Sequence, residues 1–354
     1  MTIIYRYLAL QVLMGLGIAT AVLLPLFGFL DLLDQLDDVG KGTYSVKDAF
    51  LYTALLLPRR FIQLAPFIAL MGNVTALGRL AVGSELTALR GAGVSPVGIS
   101  LAPVAVGMAL LLFIAVLDQF VAPQFQQKAI SSRAAALEKS AALGQQLGIW
   151  TRDERNILRI GEMLHTKRAA NIEIMHFDDN GFLLRYMYAS YADIINEELW
   201  ELRDVVIKTF NGNAVEIVTR ESVPWEPFLK EGDISTLTKS PESLSPAELF
   251  SHVYFLRATG QESDAYELAL WRKAGGALTV IAMLLLSIPF VFGSVRAGLG
   301  NRLVIASMLG ISVYLFDQII ANAGLLLHLS PALSALLPGI VLIAVAYFWV
   351  RRIF

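Results

Sequence analysis

Cysteine is absent from all 354 residues, which excludes a disulfide framework and a thiolate metal site. Histidine is nearly as scarce: His165, His176, His252 and His328 stand at spacings that match no metal motif. Charged residues make up only 16%, where soluble domains carry about a quarter. A net charge of −2 leaves no basic surplus, so no nucleic-acid partner is expected. No Ser/His/Asp set or carboxylate pair stands at a catalytic spacing on the polar segments, which argues against an enzyme.

Apolar sequence is what the chain has in excess. Hydrophobic residues reach 56%, with a mean hydropathy of +0.60. A hydrocarbon core about 30 Å thick needs about 20 apolar residues at 1.5 Å each. Six stretches meet that length: Leu8–Leu30, Leu51–Leu77, Val97–Val121, Ala274–Val295, Leu303–Leu326 and Ala332–Val350. The first is too long for a signal-peptide core and lacks an A-x-A site, so it reads as a retained helix. Prolines inside several runs (Pro25, Pro66, Pro103, Pro289, Pro338) are tolerated in packed membrane helices.

Lysine and arginine in the short loops set the orientation. Arg6, Arg79, Arg90, Arg296, Arg302, Arg351 and Arg352 fall on one side. The other side holds the stretch Asp31–Asp48, with five Asp against Lys41 and Lys47. Both termini are therefore expected in the cytoplasm. The long middle segment follows three spans and is expected outside. The domain reading is residues 1–122 for the first three spans, 123–263 for a β-rich domain with a helical linker, and 264–354 for the last three.

Within that middle segment, strand-like runs cover Asn156–Ile160, Ile172–Phe177, Phe182–Ile195, Leu199–Phe210 and Ala214–Thr219. Turn chemistry separates them at Asp179-Asn180-Gly181, Asn196-Glu197-Glu198 and Asn211-Gly212-Asn213. Hairpin-linked strands without intervening helix indicate an antiparallel sandwich or jelly roll. Ser245-Pro246-Ala247-Glu248 is a helix-starting capping box. A second helix starts at Asp264-Ala265-Tyr266-Glu267 and leads past Trp271, an interface anchor, into the fourth span.

Gly40-Lys41-Gly42-Thr43 resembles a phosphate loop but fails as one. Such a loop needs glycine where Gln35 stands and Ser or Thr where Gly42 stands. No bound cofactor is expected on this chain, and any nucleotide hydrolysis belongs to another. Gly83–Gly93 reads as a short helix, about residues 84–92, capped by Ser84 and stopped by glycine. Leu86, Leu89 and Ala92 can share a face there, with Glu85 and Arg90 beside it. It is either a solvated connector or a coupling helix seated in a cytoplasmic partner.

Cations gather near the outer membrane surface: Lys41, Arg59, Arg60, Lys128, Arg133, Arg272 and Lys273. Arginine at mid-bilayer costs roughly 2.5–3.5 kcal/mol on insertion scales, so Arg59 and Arg60 need a helix end or a cavity. Such cations either snorkel or form a phosphate-binding rim, for which arginine forks are suited. Asp317 and Gln318 interrupt the fifth span, where a carboxylate should face protein or water. Asp118, near the end of the third span, reads as structural.

Several stretches together resemble one family over essentially the whole chain. They are Asp37-Asp38-Val39-Gly40-Lys41-Gly42-Thr43-Tyr44, Leu57-Pro58-Arg59-Arg60, Gly83-Ser84-Glu85-Leu86, Val121-Ala122-Pro123-Gln124, Pro289-Phe290-Val291-Phe292-Gly293 and Tyr314-Leu315-Phe316-Asp317-Gln318-Ile319. In order and spacing they are similar to the lipopolysaccharide export permeases, the YjgP/YjgQ family with its branches LptF and LptG. The Gly-Lys-Gly-Thr-Tyr loop and the Ser-Glu-Leu helix lie nearer the LptG branch.

The resemblance implies an ABC exporter subunit that extracts lipopolysaccharide from the inner membrane. Its partners would be an LptF-like permease, an LptB-like ATPase dimer that binds ATP and Mg, and an LptC-like single-span protein. The central domain would be a periplasmic antiparallel β-jelly roll. Ser84, Glu85, Leu86, Leu89 and Arg90 would meet the ATPase. Lys41, Arg59, Arg60, Arg133 and Lys273 would lie near the lipid's phosphates. Leu26, Phe27, Leu30 and Phe67, with Tyr314, Leu315, Phe316 and Ile319, would line the gate or cavity between the first and fifth spans. One departure is that Asp31, Asp37 and Asp38 stand where some relatives carry lysine. The competing reading is an ion-coupled secondary transporter of a lipid or amphiphile using Asp317, against which the lack of inverted repeats counts. A membrane-embedded lipid enzyme would need a polar catalytic set that the sequence does not offer.

Overall fold

The computed structural model describes residues 2–141, 149–153, 155–165, 168–178, 181–195, 199–211, 214–227, 240–258, 261–292, 299–327 and 329–353. The residues 179–180, 196–198 and 212–213 of the expected turns lie outside that set, as do Gly293, Val295, Arg296 and His328. The chain divides into two compact units. One is Met1–Ser140 with Ser245–Leu249 and Asp264–Phe354; the other is Ala141–Leu244 with Phe250–Ser263.

The first unit is helical: α1 Thr2–Leu36, α2 Val46–Val82, α3 Glu85–Gly91, α4 Pro96–Val116 and α5 Ala122–Ala141. Further along the chain come α6 Pro246–Ala258, whose residues from Phe250 on belong to the second unit, and then α7 Asp264–Phe292, α8 Leu299–Leu326 and α9 Pro331–Ile353. Six helical segments are long and apolar enough to cross a membrane, in the order α1, α2, α4 with α5, α7, α8 and α9. All six expected spans are therefore present.

α5 stands where the sequence reading places the start of the β-rich domain. A single π turn, Leu117–Val121, joins α4 to it without a break. The segment Ala122–Ala141 is rich in Ala, Gln and Lys, which are good helix formers, and so the third span runs on past its apolar stretch. Two expected helix starts are confirmed. The Ser245 amide donates to Glu248 Oε2 at 2.8 Å, and the Glu248 amide donates to Ser245 Oγ at 3.2 Å. Asp264 opens α7.

α2 is the pillar of the bundle. Leu64, Ile68 and Ala69 join one buried cluster with Val12, Leu16 and Leu284. Leu70 and Val74 join a second with Met283 and Leu286, while Leu77 and Leu80 join a third with Leu8 and Ile99. Small residues permit the closest approach, as is usual where no hydrophobic drive exists between helices in lipid. A Cβ on Gly15 would overlap the Gly72 carbonyl, so α1 lies directly on α2.

Among the described residues, the second unit holds one six-stranded antiparallel sheet in sequence order, as the inserted antiparallel domain predicts. Its strands are β1 Ile149–Arg152, β2 Asn156–His165, β3 Arg168–Phe177, β4 Leu183–Ile194, β5 Trp200–Asn211 and β6 Ala214–Trp225. Each expected run overlaps a strand: β2, β3 and β6 are longer than expected, while Phe182, Ile195 and Leu199 fall just outside β4 and β5; β1, only 4 residues, has no counterpart among the expected runs. Leu158, Ile160, Ile172, Ile174, Trp200 and Leu202 form its core.

A row of residues across the sheet reverses which side is buried. β3 buries Ala169 on one side of Asn171, and Ile172 and Ile174 on the other. β5 buries Trp200 and Leu202 before Asp204, and Val205 after it. Asn171 and Asp204 both have φ 54, and a left-handed residue breaks the strict alternation of a strand. The sheet thereby keeps its apolar side continuous while changing parity. The Tyr188 hydroxyl donates to Asn171 Oδ1 at 2.9 Å and fixes one of the two positions.

Candidate functional site

The residues singled out from the sequence fall on three features of the helical unit: the short helix α3, a set of ion pairs, and exposed apolar helix faces. α3 sits at the end of the bundle that holds the start of α1. Leu86 is buried and Leu89 partly so, against Leu8, Leu77, Leu80 and Ile99, while Glu85 and Arg90 are exposed. The expected Ser84 cap is corrected: its side chain makes no capping bond, because Ser84 is held at φ 59. The glycine stop holds, since Gly93 has φ +87, its amide donates to Arg90 O, and the Val94 amide donates to Leu89 O. Glu85 also has a partner inside the chain that sequence reasoning missed. The Tyr7 hydroxyl of α1 donates to Glu85 Oε2 at 2.7 Å.

At the opposite end of the bundle, each of the five cations expected near phosphate meets a carboxylate. Lys273 of α7 donates to both Asp118 oxygens at 2.7 and 2.8 Å, and Arg59 of α2 reaches Asp118 Oδ1 at 3.3 Å. Asp118 lies in the π turn, so the third span is tied to both neighbours through one carboxylate. Arg60 forks onto Asp31 of α1 through Nε and Nη2 and donates to Gln63 through Nη1 at 2.8 Å. Arg133 and Lys41 share Asp38. These two cations, Lys41 first, hold the Asp38 carboxyl below the usual carboxylate range.

Burial divides this set. Side-chain exposure is 17% for Arg59 and 13% for Lys273, against 34% for Arg60 and 36% for Arg133. Arg133 also lies 5.8 Å from the Tyr52 ring centre, and it clamps the 37–44 loop. That loop docks on α5 through the Thr43 amide, which donates to Ala136 O at 2.8 Å. Gly42, at φ +58, comes so close to Ala136 O that a side chain there would collide. Asp317 of α8 accepts from Arg272 Nη2 of α7 at 3.1 Å, which answers how a carboxylate is held within the fifth span.

The expected gate residues separate by exposure. Leu26, Leu30, Tyr314, Leu315, Phe316 and Ile319 present exposed apolar surface. Phe27 and Phe67 instead pack against the α1–α2 core, and Phe67 fills the gap beside Gly310 of α8. α8 is the least enclosed span, with 17% of its apolar window buried against 67% for α2. No group of three metal-ligating acids or histidines occurs among the described residues.

A bundle of membrane-spanning helices interrupted by an antiparallel sheet domain, with a polar seam across the helices, defines a multi-pass membrane protein. The sequence model described as lipopolysaccharide export system permease LptF/LptG matches residues 6–352, and the chain belongs to that family. It is 29% identical over 349 residues to the lipopolysaccharide export system permease protein LptG of Haemophilus influenzae, covering 98% of each chain. It is also 29% identical over 338 residues to the protein of the same name from Escherichia coli, covering 94% of each.

Proposed function

We infer that this chain is the LptG-type subunit of an ABC exporter that moves lipopolysaccharide out of the bacterial inner membrane. The observation that carries the reading is the family match from residue 6 to residue 352, which takes in both helical halves and the sheet domain. Loop charge supports an orientation with both termini cytoplasmic and the central domain, about residues 123–263, in the periplasm. In this reading the chain binds no cofactor. An LptB-like ATPase dimer binds and hydrolyses ATP with Mg, an LptF-like paralogue completes the cavity, and an LptC-like protein receives the lipid.

The physics of the cargo explains the open faces. Each buried lipid CH₂ is worth about 0.8 kcal/mol, so exposing one twelve-carbon chain to water costs about 10 kcal/mol. A multi-acyl lipid therefore needs a continuous apolar route, which the exposed faces of α1 and α8 offer. Closure of the ATPase reaches these faces through α3, whose Glu85 is bonded to α1 and whose Leu86 is seated among α1, α2 and α4. The pairing of Asp317 with Arg272 gives that carboxylate a partner within the chain, which favours the exporter reading over the ion-coupled alternative.

A photo-crosslinking amino acid at Leu30 or Leu315 should capture lipopolysaccharide in cells, and capture should depend on an active ATPase. The same probe at Leu112, exposed on α4, should capture ordinary phospholipid alone. Capture from Leu112 equal to that from Leu315, or failure of the chain to co-purify with the ATPase, would remove the reading.

A further inference from the structure

Two ion pairs share a pattern that the permease reading does not use. Asp31 lies on α1 and is paired with Arg60 of α2; Asp317 lies on α8 and is paired with Arg272 of α7. In each pair the carboxylate belongs to the less enclosed helix. The buried shares are 33% for α1 against 67% for α2, and 17% for α8 against 39% for α7. Both arginines are about a third exposed, 34% and 30%, and so are open to a ligand as the Asp118 cluster is not. The helices of the two pairs also pack together, since Gly310 of α8 lies against Phe67 of α2, two turns along from Arg60.

We propose that Asp31 and Asp317 are internal stand-ins for phosphate, occupying Arg60 and Arg272 until a phosphorylated headgroup displaces them. The inference rests on the lipid-export reading and assigns a role to two carboxylates and to Arg272. A guanidinium fork takes a carboxylate or a phosphate in the same planar geometry, and phosphate brings more charge and a further oxygen. The empty permease thus keeps its cations satisfied, avoiding a bare charge at membrane depth. Once phosphate takes the arginines, each displaced carboxylate faces a like charge. The repulsion acts on α1 and α8, the helices that carry the open apolar faces. Headgroup recognition and release of the gate helices become one event.

The test uses the complete exporter, with its partner permease and ATPase, in nanodiscs. It is titrated with bisphosphorylated lipid A and with the same lipid after phosphatase treatment. Asp317→Asn removes the competitor and should tighten binding of the phosphorylated lipid about fivefold or more, the span usual for a coupling between sites. Binding of the dephosphorylated lipid should not change. Arg272→Gln should weaken binding of the phosphorylated lipid alone. Should Asp317→Asn fail to assemble, Asp31→Asn carries the same expectation at the other pair. Equal changes for both lipids, or none, overturn the stand-in role. A native exporter that binds neither lipid overturns the permease reading instead.

Discussion

The second and fifth spans are both apolar helices, yet their surroundings are opposite. α2 contributes to three buried clusters and has 67% of its apolar window enclosed, whereas α8 joins one and has 17% enclosed. Helix association in lipid depends on close packing and polar ties. α2 has both at many points. α8 has a few: Gly310 against Phe67, Gly324 against Ser334, and the Asp317–Arg272 pair. In the proposed reading, α2 stays in place and α8 is the one released.

The sharpest way to break that contrast is to cut one ion pair in each region. Asp118→Ala leaves Arg59 and Lys273 buried without their carboxylate and should cost about 3–5 kcal/mol. Asp317→Asn breaks a pair with both partners about a third exposed, where about 1 kcal/mol or less is expected. Thermal unfolding in detergent separates the two outcomes. Equal losses would mean that α8 is as firmly held as the third span.

Overpacking gives the next largest effect. Gly72→Ala forces a methyl against Leu16 backbone at the α1–α2 crossing and should cost about 1–3 kcal/mol. Gly310→Ala meets only the ring of Phe67, which can turn aside toward a loosely held helix, so a smaller loss is expected. A Gly310→Ala protein less stable than Gly72→Ala would contradict the pillar role of α2.

Tyr7→Phe is smaller in stability and larger in function. It removes one solvent-exposed hydroxyl bond between α1 and Glu85, so the loss of stability should be small. The expected outcome is an assembled exporter that hydrolyses ATP with less lipid moved per ATP. Unchanged coupling would show that Glu85 acts on the ATPase alone. Least in size is the 37–44 loop. Asp38 is held below the usual carboxylate range by Lys41 and Arg133, so its contribution is full above the unfolded value. It is lost only as pH falls through the lowered folded value. Protease resistance of the loop should persist into acid beyond the point where a free carboxylate protonates, and Asp38→Asn should remove that dependence.

Much of this architecture was legible because it depends on length and composition. Apolar runs long enough to cross lipid leave no other reading, and turn residues mark where strands break. β1 was too short to register, and α5 lacks the apolar character that marks the other spans. The polar seam was half legible. Its cations and the structural Asp118 were visible as unusual charges, but their pairing was not. Lys273 and Asp118 are 155 residues apart and Tyr7 and Glu85 are 78 apart, distances over which local pattern carries no information. Ser84 shows the limit at short range as well: a residue favoured as a cap takes a left-handed conformation instead.

The proposed gating requires α8 to move against a fixed α2. Pulsed electron-spin distances in the complete exporter test it directly, with one label pair joining α2 to α7 and another joining α8 to α7. Across nucleotide-free and nucleotide-trapped states, the α2–α7 distance should hold while the α8–α7 distribution shifts. An α2–α7 distance that changes as much as the α8–α7 distance would contradict it.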